Sequence, residues 1–251
     1  AILSEAGKVA ADILAPLNQI GDLEGARLVD GKVALPEAFQ RVQDAMAEGG
    51  WVGLSLPIAY GGQGLPELFN TVTSELWISA SMAYALQPTL TIGAARTICA
   101  HGNQQQKETY VKPLAEGRWT GTMNLTEPQA GSDLSTINTK AVKAGDHYRI
   151  SGQKIFITWG DHELSENIVH LVLARLPDAP EGTRGISLFI VPKYLVNDDG
   201  TLSERNDVKC LSLEHKMGIH ASPTCVMSYG EQGGAVGYLI GEENKGLSYM
   251  F

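Results

Sequence analysis

The hydrophobic period of the chain changes near Trp119, and no other feature restricts its fold so strongly. Up to about residue 118 apolar residues recur at spacings of three and four, with few β-branched runs, which is the pattern of helices. Beyond Trp119 short alternating or continuous apolar runs stand between turn residues, which is the pattern of strands. A helix repeats every 3.6 residues and a strand every two, so one segment cannot serve as both. After Gly241 the residues Glu242 to Phe251 return to a helical pattern. The fold class is therefore α+β: an amino-terminal α-helical domain over 1–119, a middle β domain over 120–240 built as a compact barrel or sandwich, and the start of a further helical domain over 241–251.

Local signals place the elements. Pro36 sits in the first turn of a helix that runs through Phe39, Val42 and Met46 and ends at Gly49 and Gly50. Gly61, Gly62, Gly64 and Pro66 form a loop, followed by a long helix from Glu67 to Leu86 and a shorter one from Thr89 to Ala100. The uncharged stretch from Leu76 to Ala95 is long enough to span a membrane, but Pro88 and several hydroxyl and amide side chains argue for two buried helices. Asn103 can cap the next helix and Gly117 can close it. Strands are predicted at 147–150, 154–158, 168–176, 185–191, 224–229 and 236–240, with Ser151 and Gly152 as a tight turn and 197–200 as a surface excursion.

Composition removes several functions. The net charge is -9 and the basic residues are scattered, so no nucleic-acid footprint exists. Cys99, Cys210 and Cys225 lack any CxxC spacing and read as reduced, buried thiols of a cytoplasmic protein. No secretion signal opens the chain, no GxGxxG follows a strand, and there is no P-loop. His101, His162, His215 and His220 lack HExxH spacing and read as loop or packing residues, with His220 singled out because it precedes the turn from Ala221 to Thr224.

The segment from Met123 to Asp133 carries the chemistry. Thr126 and Ser132 supply hydroxyls, Ala130 and Gly131 let a flat ligand approach the backbone, and Glu127 with Pro128 fixes an extended turn. On its own this is a binding loop for an unspecified ligand. The string Thr-Glu-Pro-Gln-Ala-Gly-Ser-Asp at 126–133 nevertheless resembles the signature of the acyl-CoA dehydrogenase family, and Gly152 to Thr158 resembles that family's Gly-x-Lys-x-Trp-Ile-Thr strand. Trp51 to Pro66, His101 to Trp119, Lys216 to Thr224 and Gly241 to Gly246 match further landmarks in order. The run from Asn197 to His220 resembles a large bacterial subgroup that includes 3-methylmercaptopropionyl-CoA dehydrogenase.

The resemblance implies a helical domain, a β-barrel domain and a carboxy-terminal helical bundle, the last absent or only begun here. It implies FAD between barrel and bundle. Met123, Leu125 and Thr126 would line the flavin, with Thr126 on its pyrimidine side. Ser132 would contact flavin or the acyl-CoA arm. Phe156 would replace a tryptophan that covers one flavin face, and Thr158 would approach N5 and O4. The family reaction removes the α-proton of an acyl-CoA to a glutamate and the β-hydrogen as hydride to flavin. No residue here matches that base, which is expected beyond Phe251. Glu127, Glu163, Glu166, Glu242 and Glu243 read as solvated or loop-stabilising charges. Implied partners are an acyl-CoA substrate, electron-transfer flavoprotein and further copies of the chain as a homodimer or homotetramer. Apolar residues near Leu86 and Leu90 hint at an acyl pocket. Two other readings are a non-catalytic flavin-binding partner subunit and a flavin oxidase or monooxygenase on the same scaffold.

Overall fold

Two prolines shape the helices of the amino-terminal part. In the computed structural model, which describes residues 1–251, α1 (Ile2–Lys8) passes through a π-helical stretch (Val9–Leu14) into α2 (Ala15–Glu24), where Pro16 occupies the first turn. Proline has no N–H to close the preceding turn, and the helix widens ahead of it. The same device recurs later. Asn103 and Gln106 form a reciprocal capping box at α5 (Gln104–Gln106), a π-helical stretch follows (Lys107–Val111), and Pro113 opens α6 (Lys112–Ala115). Between α2 and α3 (Ala38–Glu48) lies a hairpin of β1 (Arg27–Val29) and β2 (Lys32–Ala34), turned at Asp30 and Gly31 with φ of 49° and 75°. Asp-Gly at positive φ matches the right-handed twist of a tight hairpin.

The two helices expected over 67–100 are present, joined across a kink into α4 (Glu67–His101), and the kink is at Ser81 rather than between Leu86 and Thr89. Ser81 has φ -154° and ψ 90°, while Pro88 lies inside the helix. The disturbed backbone finds partners elsewhere: the Trp159 Nε1–H donates to the Ala83 carbonyl at 3.0 Å, and the Thr89 hydroxyl donates to the Ala85 carbonyl at 2.9 Å. No helix is long and apolar enough to cross a membrane.

The strand region holds more strands than the six apolar runs predict. Its elements are β3 (Trp119–Asn124), β4 (Lys140–Ala144), β5 (His147–Thr158), β6 (Asn167–Arg175), β7 (Ile186–Pro192), β8 (Tyr194–Val196), β9 (Leu202–Arg205), β10 (Val208–Leu213), β11 (Thr224–Tyr229) and β12 (Ala235–Leu239). The main sheet runs β10-β11-β5-β12-β7-β6-β3, and β4 pairs with both β5 and β6. That double pairing closes β4, β5, β12, β7 and β6 into a small barrel, with β11 and β10 extending it from the far half of β5. β8 and β9 form a separate hairpin that takes up the excursion at 197–200.

Strand β5 is the spine of this arrangement, and it corrects one expectation: Ser151 and Gly152 form no turn. Residues 147–151 pair with β4, and 148–150 also with β12, while 152–158 pair with β11. Gly152 marks the change of partners. A Cβ there would stand 2.6 Å from the Thr139 hydroxyl and 2.8 Å from the Thr139 Cα, so only glycine fits. At the far end Trp159, with φ 55° and no exposed surface, leaves the barrel and enters the helical core beside Phe39 and Tyr84.

The helix-to-barrel contact is equally close at β3. A Cβ on Gly121 would lie 2.6 Å from the Ala94 Cβ, and the Gly121 N–H donates to the Thr91 hydroxyl at 3.1 Å. Buried residues of α4, α6, β3, β6 and β7 share one core. The Trp159→Ala variant of the full-length protein is therefore expected to lose about 3–5 kcal/mol of stability, measured by chemical denaturation; a loss under about 1 kcal/mol would show that Trp159 does not join the two layers.

Candidate functional site

Strand β3 faces two ways. Its odd residues meet α4, and its even residues, Thr120, Thr122 and Asn124, are buried against polar partners inside the barrel. The Tyr229 hydroxyl donates to Asn124 Oδ1 at 2.7 Å, and Asn124 Nδ2 donates to the Thr122 hydroxyl at 2.8 Å. The Thr122 hydroxyl also lies 2.7 Å from His170 Nδ1 and bonds that buried ring, whose Nε2 meets no other group of the chain. His162 is fixed similarly. Its Nδ1 accepts from the Leu164 N–H at 3.1 Å, so Nε2–H donates to the Thr120 hydroxyl at 3.1 Å. The packing role expected of His162 holds, and His170 joins it.

Where β3 ends, the chain enters the loop that carries the expected site. Met123, Leu125 and Thr126 are half-buried along it, and Met123 and Leu125 rest on the shared core. The Thr126 carbonyl accepts from the Ile155 N–H at 2.9 Å, which sets the loop beside β5. Lys154, fully buried, donates from Nζ to the Leu125 carbonyl at 2.9 Å and to Glu127 Oε1 at 2.8 Å. Glu127 is far from solvated: 3% exposed, it also accepts from the Asn138 N–H at 2.6 Å, the Thr139 N–H at 3.1 Å and the Thr139 hydroxyl at 2.6 Å. Burial pulls the Lys154 ammonium down to about 8, with Glu127 resisting. Burial pushes the Glu127 carboxyl up, but Lys154 and the donors from Asn138 and Thr139 outweigh it and hold the carboxyl below the usual range. Both groups are therefore charged at neutral pH.

Phe156 stands next to this pair. Opposite Val226 of β11 the register slips between Cys225 and Met227, so Ile155 and Phe156 face a single partner in a β-bulge. Phe156 has φ 58° and is 57% exposed. A left-handed conformation costs a residue with a side chain roughly 1–2 kcal/mol, and exposing a large aromatic gains nothing in return. Strain of this kind collects at functional positions. Thr158, half-buried and paired with Thr224, follows two residues on.

Of the expected residues, Leu125 and Thr126 are tied directly to β5 by the Lys154 and Ile155 bonds, with Met123 just before them on β3 and Phe156 and Thr158 further along β5. Ser132 stands apart, exposed in a bend two residues beyond the turn that the reciprocal bonds between Glu127 and Ala130 close. Sequence reasoning passed over Lys154, although a signal was present: Lys154 falls in the inward phase of β5 with Tyr148 and Ile150, and a lysine there needs a buried counter-charge. The arrangement suits a flat, partly polar ligand. It offers an aromatic ring and apolar side chains, two threonine hydroxyls, and the Thr126 N–H, which no group of the chain accepts. No cluster of His, Cys, Asp or Glu suits a metal ion.

His220, the other residue singled out, lies elsewhere. Its Nδ1 is 3.0 Å from the Asp22 carbonyl and its Nε2 2.9 Å from the Lys216 carbonyl, so it ties the 215–222 loop to the end of α2.

Comparison with known proteins follows the same division of the chain. The acyl-CoA dehydrogenase N-terminal domain matches residues 25–118, and the acyl-CoA dehydrogenase middle domain matches residues 122–231. The 3-methylmercaptopropionyl-CoA dehydrogenase of Ruegeria pomeroyi is 54% identical over 100% of this chain and 42% of its own length. A butyryl-CoA dehydrogenase of Syntrophomonas wolfei is 39% identical over 97% of this chain and 42% of its own. The chain thus spans less than half the length of these relatives. Among solved structures, an acyl-CoA dehydrogenase complexed with FAD from Bacillus anthracis superposes with a TM-score of 0.78 at 25% identity, covering 99% of this chain and 39% of that one.

Burial, then the charge of Lys193, pulls both His162 and His170 down to about 3. An unfolded histidine titrates near 6.5, so below that pH the unfolded state takes up protons that the folded state refuses. Stability of the full-length protein is expected to fall as pH drops from about 6.5, and His170→Gln to remove about one proton from the slope. Urea unfolding at several pH values measures this; a slope unchanged by the substitution would contradict the assignment.

Proposed function

The chain belongs to the acyl-CoA dehydrogenase family, and from that premise we propose that the full-length protein is an FAD-dependent acyl-CoA dehydrogenase converting an acyl-CoA thioester to its trans-2-enoyl-CoA. The observation that carries the reading is the junction of β3 and β5, where Thr126 and Thr158 stand on neighbouring segments locked by the Thr126–Ile155 and Lys154–Leu125 bonds. Bound there, FAD supplies the acceptor for the β-hydride. The protein's part is to hold, orient and dry the site.

In this reading Thr126 donates to the pyrimidine side of the ring and Thr158 to its N5 and O4 edge. Donors already aimed at atoms that become electron-rich favour reduction, because they need no reorganisation when charge arrives. Met123, Leu125 and Phe156 form the apolar wall that keeps water from the reacting carbons. Phe156 retains the cover of an aromatic ring without an indole N–H. Ser132, on its exposed turn, is assigned to the outer arm of the cofactor or acyl-CoA. No carboxylate here fits the base: Glu127 is held by Lys154, and the others stand away from the junction. We assign the α-proton to a glutamate beyond Phe251, in a helical domain that begins at about Gly241 and follows helical (1–119) and barrel (120–240) domains.

We further propose electron-transfer flavoprotein as the acceptor of the electrons, a homodimer or homotetramer as the assembly, the cytoplasm as the location, and β-oxidation-type chemistry as the setting. Among relatives, one is named for a sulfur-containing acyl-CoA and another for butyryl-CoA. Short linear and thioether acyl-CoAs are therefore the first substrates to try. Purified full-length protein should show flavin absorbance that bleaches anaerobically with one of them, and Thr158→Val should slow bleaching about tenfold, the loss of roughly one hydrogen bond. Absence of flavin together with no turnover of any acyl-CoA would contradict the proposal.

A further inference from the structure

We propose that Lys154 is a positioning residue for the cofactor: by holding the Leu125 carbonyl it aims the Thr126 backbone N–H into the site, and so sets both the affinity for FAD and its reduction potential. The inference rests on the flavin reading above and adds to it a residue that touches no ligand itself.

The geometry leads there in three steps. Lys154 Nζ lies 2.9 Å from the Leu125 carbonyl and 2.8 Å from Glu127 Oε1, and the side chain has no exposed surface. All peptide bonds are trans. In a trans peptide the C=O and the following N–H point in opposite directions, so a carbonyl pinned toward Lys154 turns the Thr126 N–H away from it. The neighbouring groups are already committed: the Thr126 carbonyl accepts from Ile155, the Glu127 N–H donates to the Ala130 carbonyl, and the Glu127 carbonyl accepts from the Ala130 N–H. From the Leu125 carbonyl to the Glu127 carbonyl, the Thr126 N–H alone has no acceptor in the chain.

The ammonium also changes the strength of that donor. A carbonyl accepting a charge-assisted bond is polarised, and its peptide N–H becomes the better donor. Glu127 keeps the ammonium in place, since without it Lys154 would be an unpaired buried charge. A second buried pair offers a contrast. Lys193 lies 2.8 Å from Asp161, both nearly without exposed surface, but donates to the His162 carbonyl rather than to any group of the 125–127 segment. If burying an ion pair were all that mattered, the two pairs would behave alike.

The test compares the full-length wild-type protein with Lys154→Met, Glu127→Gln and Lys193→Met, each stripped of cofactor and titrated with FAD, followed by measurement of the midpoint potential of the bound flavin. Lys154→Met should weaken FAD binding at least about tenfold, as expected for losing a bond to a charged group, and lower the potential. Glu127→Gln should move both in the same direction by less. Lys193→Met should lower the melting temperature and leave both readings at the wild-type value. A folded Lys154→Met with wild-type affinity and potential would overturn the proposal, as would a Lys193→Met that shifts them equally. Should Lys154→Met fail to fold, Glu127→Gln decides, and an unchanged potential there would overturn it. A wild-type protein that takes up no FAD would remove the functional reading and this inference together, whereas failure of the Lys154 variant alone to differ removes only the inference.

Discussion

A lysine ammonium and a glutamate carboxylate inside a barrel wall must find each other, and the Glu127–Lys154 pair is where the loop after β3 is fastened to β5. Charge taken out of water is stable only when every lone pair and N–H has a partner, and removing one member of such a pair costs about 3–5 kcal/mol. Glu127 meets this demand by gathering the Asn138 and Thr139 amides and the Thr139 hydroxyl along with Lys154. One carboxylate thereby fixes both ends of the loop at 127 and 139. The same lysine holds the Leu125 carbonyl, and the Thr126 backbone and the bulge at Phe156 adjoin it through Ile155 and β11.

Strand β5 extends that fixed point in both directions. Its first half closes the barrel against β4 and β12, Gly152 lets it change partners, and its second half runs along β11 to Thr158. Trp159 then crosses into the helical core and bonds to the Ala83 carbonyl, in the stretch where Ser81 and Pro88 disturb α4. The helical and barrel parts therefore share the strand that carries the site. Under the proposed function the junction depends on packing far from it, because a displaced Trp159 would move Thr158 with it.

Much of this was legible in the sequence. The change of period located the boundary of helices and strands, and the string at 126–133 located the loop. Other features depend on distant residues and could not be read locally. The break at Ser81 carries no local breaker, and the Trp159 bond to the nearby Ala83 carbonyl spans 76 positions, so Pro88 looked like the better boundary. Ser151 and Gly152 have turn chemistry, but the fold uses the missing Cβ to admit Thr139. Glu127 looked solvated because its partner lies in another strand. The polar column of Thr122, Asn124, His170 and Tyr229 was hidden for the same reason, since four strand residues of ordinary type become a chain of hydrogen bonds only when β3, β6 and β11 meet.

The most direct measurement is a crystal structure of the full-length protein with FAD bound. The isoalloxazine should lie against the junction of β3 and β5, with the Thr126 N–H and the Thr158 hydroxyl within hydrogen-bonding distance of its edge and Lys154 still bonded to the Leu125 carbonyl and Glu127. A ring seated elsewhere, or a 125–127 segment swung away from Lys154 when the ring is bound, would contradict the account.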